Sequence, residues 1–286
     1  MSIVVTGATG HLGRLAVESL VRRGVPADRV VALGRNVSRL ADLEARGVVV
    51  SAADYDDPAS LRTAFAGAEK LLFVSGSEVG RRGAQHHNVV AAAREAGVGL
   101  VAYTSIVKAD TSGLLLAAEH LATERELDAS GLPYVLLRNG WYLENYTSQL
   151  ATYLQHGVLG SAGDGRVSAA ARADYAEAAA AVLTAEGHAG RVYELGSAPF
   201  SMTDLAAEVA RQSGRDVGYT DLPVEKYTEI LVGAGVPEPY AAVLADADRG
   251  LSLGDLYVEG DDLRALIGRE PTSLAEAVRA ALPAAR

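Results

Sequence analysis

Cysteine is absent from this chain of 286 residues, which excludes disulfides, thiolate nucleophiles and cysteine-ligated metals. The six histidines are scattered and form no HExxH-type pair, so no metal chemistry is expected. Positive charge is in deficit, with 26 basic against 36 acidic residues and a net charge of -10. Such a surface repels phosphate backbones, and Arg81-Arg82 is too short a run to counter that, so nucleic acid is not an expected partner. No apolar run approaches the roughly eighteen residues a membrane span needs. The start, Met1-Ser2-Ile3, runs straight into a strand with no basic segment and apolar core, so no signal peptide and a cytoplasmic location are expected. What remains is a globular composition, 49% apolar and 22% charged. The length suits one large α/β domain or one domain with an added lobe.

Strand-like runs recur at Ile3–Thr6, Arg29–Leu33, Val48–Val50, Lys70–Val74, Gly99–Thr104 and Tyr134–Leu137. Helical spacing fills the gaps at Leu12–Arg23, Ser38–Ala45, Pro58–Phe65, Gly83–Ala96 and Leu114–Ser130. Alternation of this kind predicts a doubly wound parallel α/β sheet. Ala169–Ala185 reads as an alanine-rich packed helix. After Leu195 the pattern shifts to short helices at Thr203–Ser213, Val224–Gly233, Pro237–Leu251 and Asp261–Gly268, the mark of a smaller lobe. The expected division is a nucleotide-binding core over residues 1–150, rejoined by 170–200, with 151–169 and 200–286 forming a substrate-side lobe.

The first strand breaks into Gly7, Gly10 and Gly13 before the apolar helical face Leu12-Leu15-Ala16-Leu20. Gly7 suits a tight turn, Gly10 lets backbone approach a diphosphate, and Gly13 lets the helix pack close to the sheet. The helix N-terminus then offers unpaired N–H groups and a positive dipole end to that anion. Two residues separate the first pair of glycines, a departure from GxGxxG, and a ligand-free strand-to-helix turn is the plain alternative.

An acidic residue about twenty positions past Gly13 would bind the ribose 2′-hydroxyl of NAD. The second strand ends instead in Gly34-Arg35-Asn36, and the guanidinium of Arg35 suits a 2′-phosphate, which favours NADPH; a solvated arginine is the alternative. Asp54 either accepts from the adenine amino group or caps the helix at Pro58, a role that falls more naturally to Asp56 or Asp57. Ligands in such sheets lie across the strands' carboxyl ends, so Ser75, Gly76 and Ser77 should face the ribose and phosphates. Thr104, Ser105 and the segment after Leu137 should flank the nicotinamide. Trp141, the only tryptophan, is either a hydrophobic plug or a pocket wall. Lys108 reads as a solvated loop lysine.

These residues carry a resemblance. Thr6 to Gly13, Gly34-Arg35-Asn36, Glu119-His120-Leu121-Ala122-Thr123-Glu124 and Leu137 to Asn145, with Arg172 to Tyr175 and Tyr193-Glu194-Leu195, resemble the NmrA-like atypical short-chain dehydrogenase/reductases. Within them the likeness is to the bacterial NADPH-dependent quinone reductases, with the triphenylmethane reductases beside them. The resemblance implies a Rossmann core, a small, mainly helical C-terminal lobe, and a cleft between them for cofactor and quinone. It implies cofactor contacts from Gly7 through Ala8, Thr9, Gly10 and His11 to Leu12, at Arg35, and at Ser77, Glu78 and Val79. A further set runs from Gly140 through Trp141, Tyr142, Leu143 and Glu144 to Asn145; Gln85 is assigned to the same cleft. The wider superfamily's Tyr-x-x-x-Lys acid is missing, because Leu116 and His120 occupy those places.

A quinone needs less help than a ketone, since its reduced form is a resonance-stabilised anion. Holding nicotinamide and acceptor face to face and excluding water then matters most. Tyr103, Trp141 and Tyr142 are the expected walls, and His120 either orients the ribose, relays a proton or is a packed helix histidine. Two rivals stand beside the quinone-reductase reading: a non-catalytic NADP-sensing regulator, and a reductase of triphenylmethane or azo dyes. A homodimer is left open.

Overall fold

The computed structural model describes residues 2–78 and 80–282. Six strands appear in alternation with helices: β1 (Ile3–Val5), β2 (Val30–Gly34), β3 (Val49–Ala52), β4 (Lys70–Phe73), β5 (Leu100–Ile106) and β6 (Tyr134–Asn139). The chain leaves the sheet for two short strands, β7 (Val158–Gly160) and β8 (Arg166–Val167), then returns as β9 (Val192–Leu195). These build one parallel sheet in the order β3-β2-β1-β4-β5-β6-β9, with Val4 of β1 paired between Val31 and Leu71. Helices α1 (His11–Arg22), α2 (Ala41–Glu44), α3 (Pro58–Phe65), α4 (Arg82–Glu95) and α5 (Leu115–Ser130) make the crossovers. The doubly wound α/β expectation is borne out.

Successive β1 residues face opposite layers, so both sides of the sheet are dry. Ile3 and Val5 join Ala16, Val17 and Leu20 of α1, while Val4 joins Leu61 and Phe65 of α3 and Val89 of α4. Each fully buried aliphatic side chain contributes about 1.5–3 kcal/mol of transfer free energy. On the α1 side lies α8 (Arg172–Thr184), whose Ala176, Ala179 and Ala180 are buried. The alanine-rich stretch is thus a packed helix as expected, but it starts three residues late. Ala170 bridges to Tyr142 and Ala171 is extended, which holds the segment before Arg172 out of the helix.

Between β6 and α8 lie the short helices α6 (Leu143–Thr147) and α7 (Leu150–His156); β10 (Phe200–Ser201) pairs with β8 and β11 (Tyr219–Asp221) with β7. The remaining helices are α9 (Met202–Ser213), α10 (Val224–Gly233), α11 (Glu238–Ser252), α12 (Asp262–Ile267) and α13 (Leu274–Ala281). A third apolar cluster, with Leu150, Val158, Phe200, Leu205, Leu251 and Val278, gathers this part of the chain. Helix α13 was not foreseen, although its capping box, Ser273 with Glu276, is a readable start signal. Among the described residues no helix is long and apolar enough to cross a membrane.

From β1 the chain winds outward to β3 and then jumps back across to β4. That reversal opens a crevice at the carboxyl ends of β1 and β4, where such sheets bind ligands.

Candidate active site

The crevice holds a cavity of about 420 Å³, within the range of small-molecule and cofactor sites. Its floor is the glycine turn. Gly7 has φ +61°, a left-handed conformation that a side chain would strain, and its carbonyl accepts the Gly10 N–H at 2.9 Å. A Cβ on Gly13 would lie 2.5 Å from the Gly7 carbonyl oxygen, so only glycine lets α1 start this close to the turn. Gly10 caps α1 without a side-chain hydrogen bond, which leaves the first helical N–H groups facing the cavity. An anion such as a diphosphate fits this cradle. Gly7, Thr9, Gly10, His11 and Leu12 line it, whereas Ala8 is buried beneath with its N–H on the Leu33 carbonyl.

At the outer end of the cleft stand Arg35, Arg39, Asp54, Glu78 and Gln85. Arg35 is 65% exposed and its Nη1 lies 2.9 Å from Oε1 of Glu78. Asp57 caps α3, accepting from Ala59 and Ser60 N–H groups, so the cap falls where the sequence favoured it and Asp54 stays in the cleft wall. Arg39 was not foreseen, since its position in a 3₁₀ turn (37–40) gave no register to the cleft. The Tyr55 hydroxyl spans the floor between β1 and β4, within 2.6 Å of both Thr6 Oγ1 and the Val74 carbonyl.

The loop after β4 is fixed from behind. Gly76 gives its N–H to Nε2 of His86 at 2.9 Å and its carbonyl accepts from Nε of Arg82 at 2.6 Å. Arg82 pairs with Glu119 at 3.2 Å, and Glu119 also accepts the Gly80 N–H. Because Nε2 of His86 is an acceptor, its proton sits on Nδ1, which donates to Thr123 Oγ1 at 2.7 Å. Burial, helped by the Arg82 charge, pushes His86 down to about 3, so it stays neutral. Thr104 is buried and accepts the Ser75 N–H, so it places Ser75 without reaching the cleft. Ser75, Gly76, Ser77, Glu78 and Gln85 all line the cleft; Val79 lies outside the described residues.

Other expectations need correction as well. Tyr103 is 0% exposed, wedged against the Phe73 and His86 rings because β5 is central to the sheet, and so is no pocket wall. Ser105 is also buried and donates to Glu124, which is held in turn by the buried Arg138. Lys108 is half-buried and tied in place rather than free in solvent: at φ +54° it gives its backbone N–H to Glu194 and its Nζ to the Gly254 carbonyl. The Tyr103 hydroxyl lies 2.8 Å from Nδ1 of His120, and burial, with the Arg82 charge, holds that imidazole well below its usual range.

The segment Gly140 to Asn145 does not line the glycine cavity itself, and Arg172 connects the two. Arg172 lines the cavity, stacks 4.4 Å over the Tyr142 ring, and donates to Asn145 Oδ1 at 3.0 Å. Its own N–H is accepted by Glu144, which ties the start of α8 to α6. Leu143 is buried, and Trp141 packs against the third apolar cluster. Arg172, like Arg39 and Tyr55, is a cleft residue that the sequence reading did not name, although the string it begins was singled out.

Comparison with known proteins agrees with this geometry. The NAD(P)H-binding family profile matches residues 7–186. Quinone oxidoreductase 2 of Escherichia coli strain K12 is 49% identical over 278 residues, covering 96% of this chain and 97% of that protein. The crystal structure of the NADPH-dependent quinone oxidoreductase from Escherichia coli complexed with NADPH superposes with a TM-score of 0.95 at 48% identity, covering 97% of this chain and 99% of that one. The Citrobacter sp. triphenylmethane reductase complexed with NADP(H) gives 0.94 at 41% identity, over 98% and 100%. The resemblance noted in the sequence is borne out. With the family profile matched over more than half its length and the glycine cradle in place, the chain belongs to the NAD(P)H-binding family.

Proposed function

We propose that the protein reduces quinones with NADPH by direct hydride transfer. The cleft supports nucleotide binding, and the observation that carries the quinone is the whole-length likeness to a quinone oxidoreductase at 49% identity. NADPH bound there supplies the hydride. The glycine turn and the α1 N-terminus bind the diphosphate, Arg35 and Arg39 meet the 2′-phosphate, and Arg172 adds a cation on the far side of the cavity. Tyr142, under the Arg172 guanidinium and against the core of the sheet, and Trp141, against the third apolar cluster, are the walls for a flat acceptor.

His120, buried against the Tyr103 hydroxyl, does not supply the proton. Its imidazole is neutral at pH 7. Relaying a proton through it would take one from Tyr103, whose phenol is itself pushed upward by burial, and leave a buried phenolate. Water is the cheaper proton source for a hydroquinone anion. Loss of the superfamily's tyrosine acid is thereby compatible with this acceptor.

The test is NADPH consumption, followed by near-ultraviolet absorbance, with benzoquinones, naphthoquinones, and triphenylmethane and azo dyes. Quinone-dependent consumption well above background supports the proposal. Background consumption with all acceptors while NADPH still binds favours a nucleotide sensor, and consumption with dyes alone favours the dye reductase.

A further inference from the structure

The geometry points to Glu78 as a residue that sets how strongly this protein prefers NADPH to NADH, an inference that rests on the nucleotide reading of the cleft. The β2 end lacks the acid that would hold a ribose 2′-hydroxyl, and Arg35 stands there instead. Folding nonetheless brings a carboxylate to the same place from the loop after β4, 43 residues further along the chain. Glu78 Oε1 accepts from Arg35 Nη1 at 2.9 Å.

Glu78 is anchored rather than drifting. Its second oxygen accepts from Arg81 Nη1 at 2.9 Å and from Gln85 Nε2 at 3.4 Å. Arg81 and Gln85 are fixed in turn by Asp56, at 2.9 and 3.2 Å. Arg35 is the freer partner, 65% exposed against 32% for Glu78. A 2′-phosphate that engages Arg35 must therefore share the guanidinium with a carboxylate that stays beside it. Two like charges a few ångströms apart at a wet surface cost roughly 1 kcal/mol, about a fivefold loss of affinity. A ribose with a free 2′-hydroxyl meets the opposite situation, because the carboxylate accepts that hydroxyl. The pair thus serves both nucleotides, Arg35 the phosphate and Glu78 the hydroxyl, and moderates the preference that Arg35 alone would impose.

The experiment measures dissociation constants of NADPH and NADH, and of adenosine 2′,5′-bisphosphate and 5′-AMP, for the wild type, Glu78→Gln and Glu78→Ala. Both variants are expected to raise the preference for the 2′-phosphorylated ligand about fivefold in each pair, with the gain shrinking as salt is added. An unchanged or reduced preference overturns the inference. Equal weakening of both ligands does so as well, since it assigns Glu78 to loop structure only. A wild type that binds neither nucleotide overturns the reading of the cleft, and this inference with it.

Discussion

On the proposed reading of the cleft, Arg35 is the side chain that decides most between NADPH and NADH. It is a mostly exposed guanidinium at the end of β2 with one carboxylate partner, so its charge is available to a 2′-phosphate. Hydrogen bonds to charged groups are worth about 1.5–3 kcal/mol. Arg35→Ala should therefore weaken NADPH about tenfold or more and leave NADH within about twofold, measured by titration of each nucleotide. Equal losses for the two would remove the 2′-phosphate role. At this scale the sequence was legible where a residue's role is local: Gly7, Gly10 and Arg35 were placed by counting from a strand end. It was silent on the Arg35–Glu78 and Arg172–Tyr142 contacts, because each joins residues 30 or more positions apart, which only the fold brings together.

At the scale of the element, the seating of α1 decides whether the cradle exists. Gly13 sits where a Cβ would meet the backbone of Gly7 and Ala8 at 2.5 to 2.9 Å, and backbone cannot swing aside as a side chain can. Gly13→Ala is expected to lower stability by about 1–3 kcal/mol, the cost of overpacking, and to abolish nucleotide binding as α1 is pushed off the turn. Thermal unfolding and nucleotide titration check this together; an unchanged melting temperature and affinity would contradict it. Elements whose sequence carries a start signal and a long apolar face were readable, and α3 begins at Asp57-Pro58 as its capping residues imply. The seventh sheet strand, β9, was named only as a motif, because four residues of Val192-Tyr193-Glu194-Leu195 hold too little alternation to call a strand.

For the whole molecule, stability and pH are linked through buried groups that burial has shifted. Asp248 on α11 accepts the Ser161 N–H at 2.9 Å beside β7, with Tyr146, Tyr153, Tyr219, Tyr227 and Asp221 acting on it or feeling its charge. Burial, reinforced by Asp221, pushes its carboxyl up to about 6. A raised folded pKa means the native state holds the proton more tightly than the unfolded chain. Its contribution is therefore present below pH 4 and is lost as pH rises toward 6. His86, depressed to about 3, acts in the opposite sense and costs stability as pH falls below about 6.5. The difference between wild type and Asp248→Asn isolates the carboxylate, because the histidines are common to both. Asp248→Asn should be more stable than wild type at pH 7 by about 1–3 kcal/mol, with the gap closing below pH 4 in denaturant unfolding. A variant less stable at pH 7, or a gap independent of pH, would show that burial does not disfavour the charge. None of this was legible in the sequence, since Asp248 is one of seven carboxylates among residues 216–248 and only the packing of α11 against β7 singles it out.

The central claim is that the cleft delivers a hydride from NADPH to a quinone. It is tested most directly by a single-turnover reaction with NADPH deuterated at one or the other position of the nicotinamide C4. The account predicts quinone-dependent oxidation that is slowed by deuterium at one of the two positions only, because the residues around the cleft hold the ring with one face toward the acceptor. Oxidation at background rate by a protein that still binds NADPH, or a rate indifferent to deuterium at both positions, would contradict it.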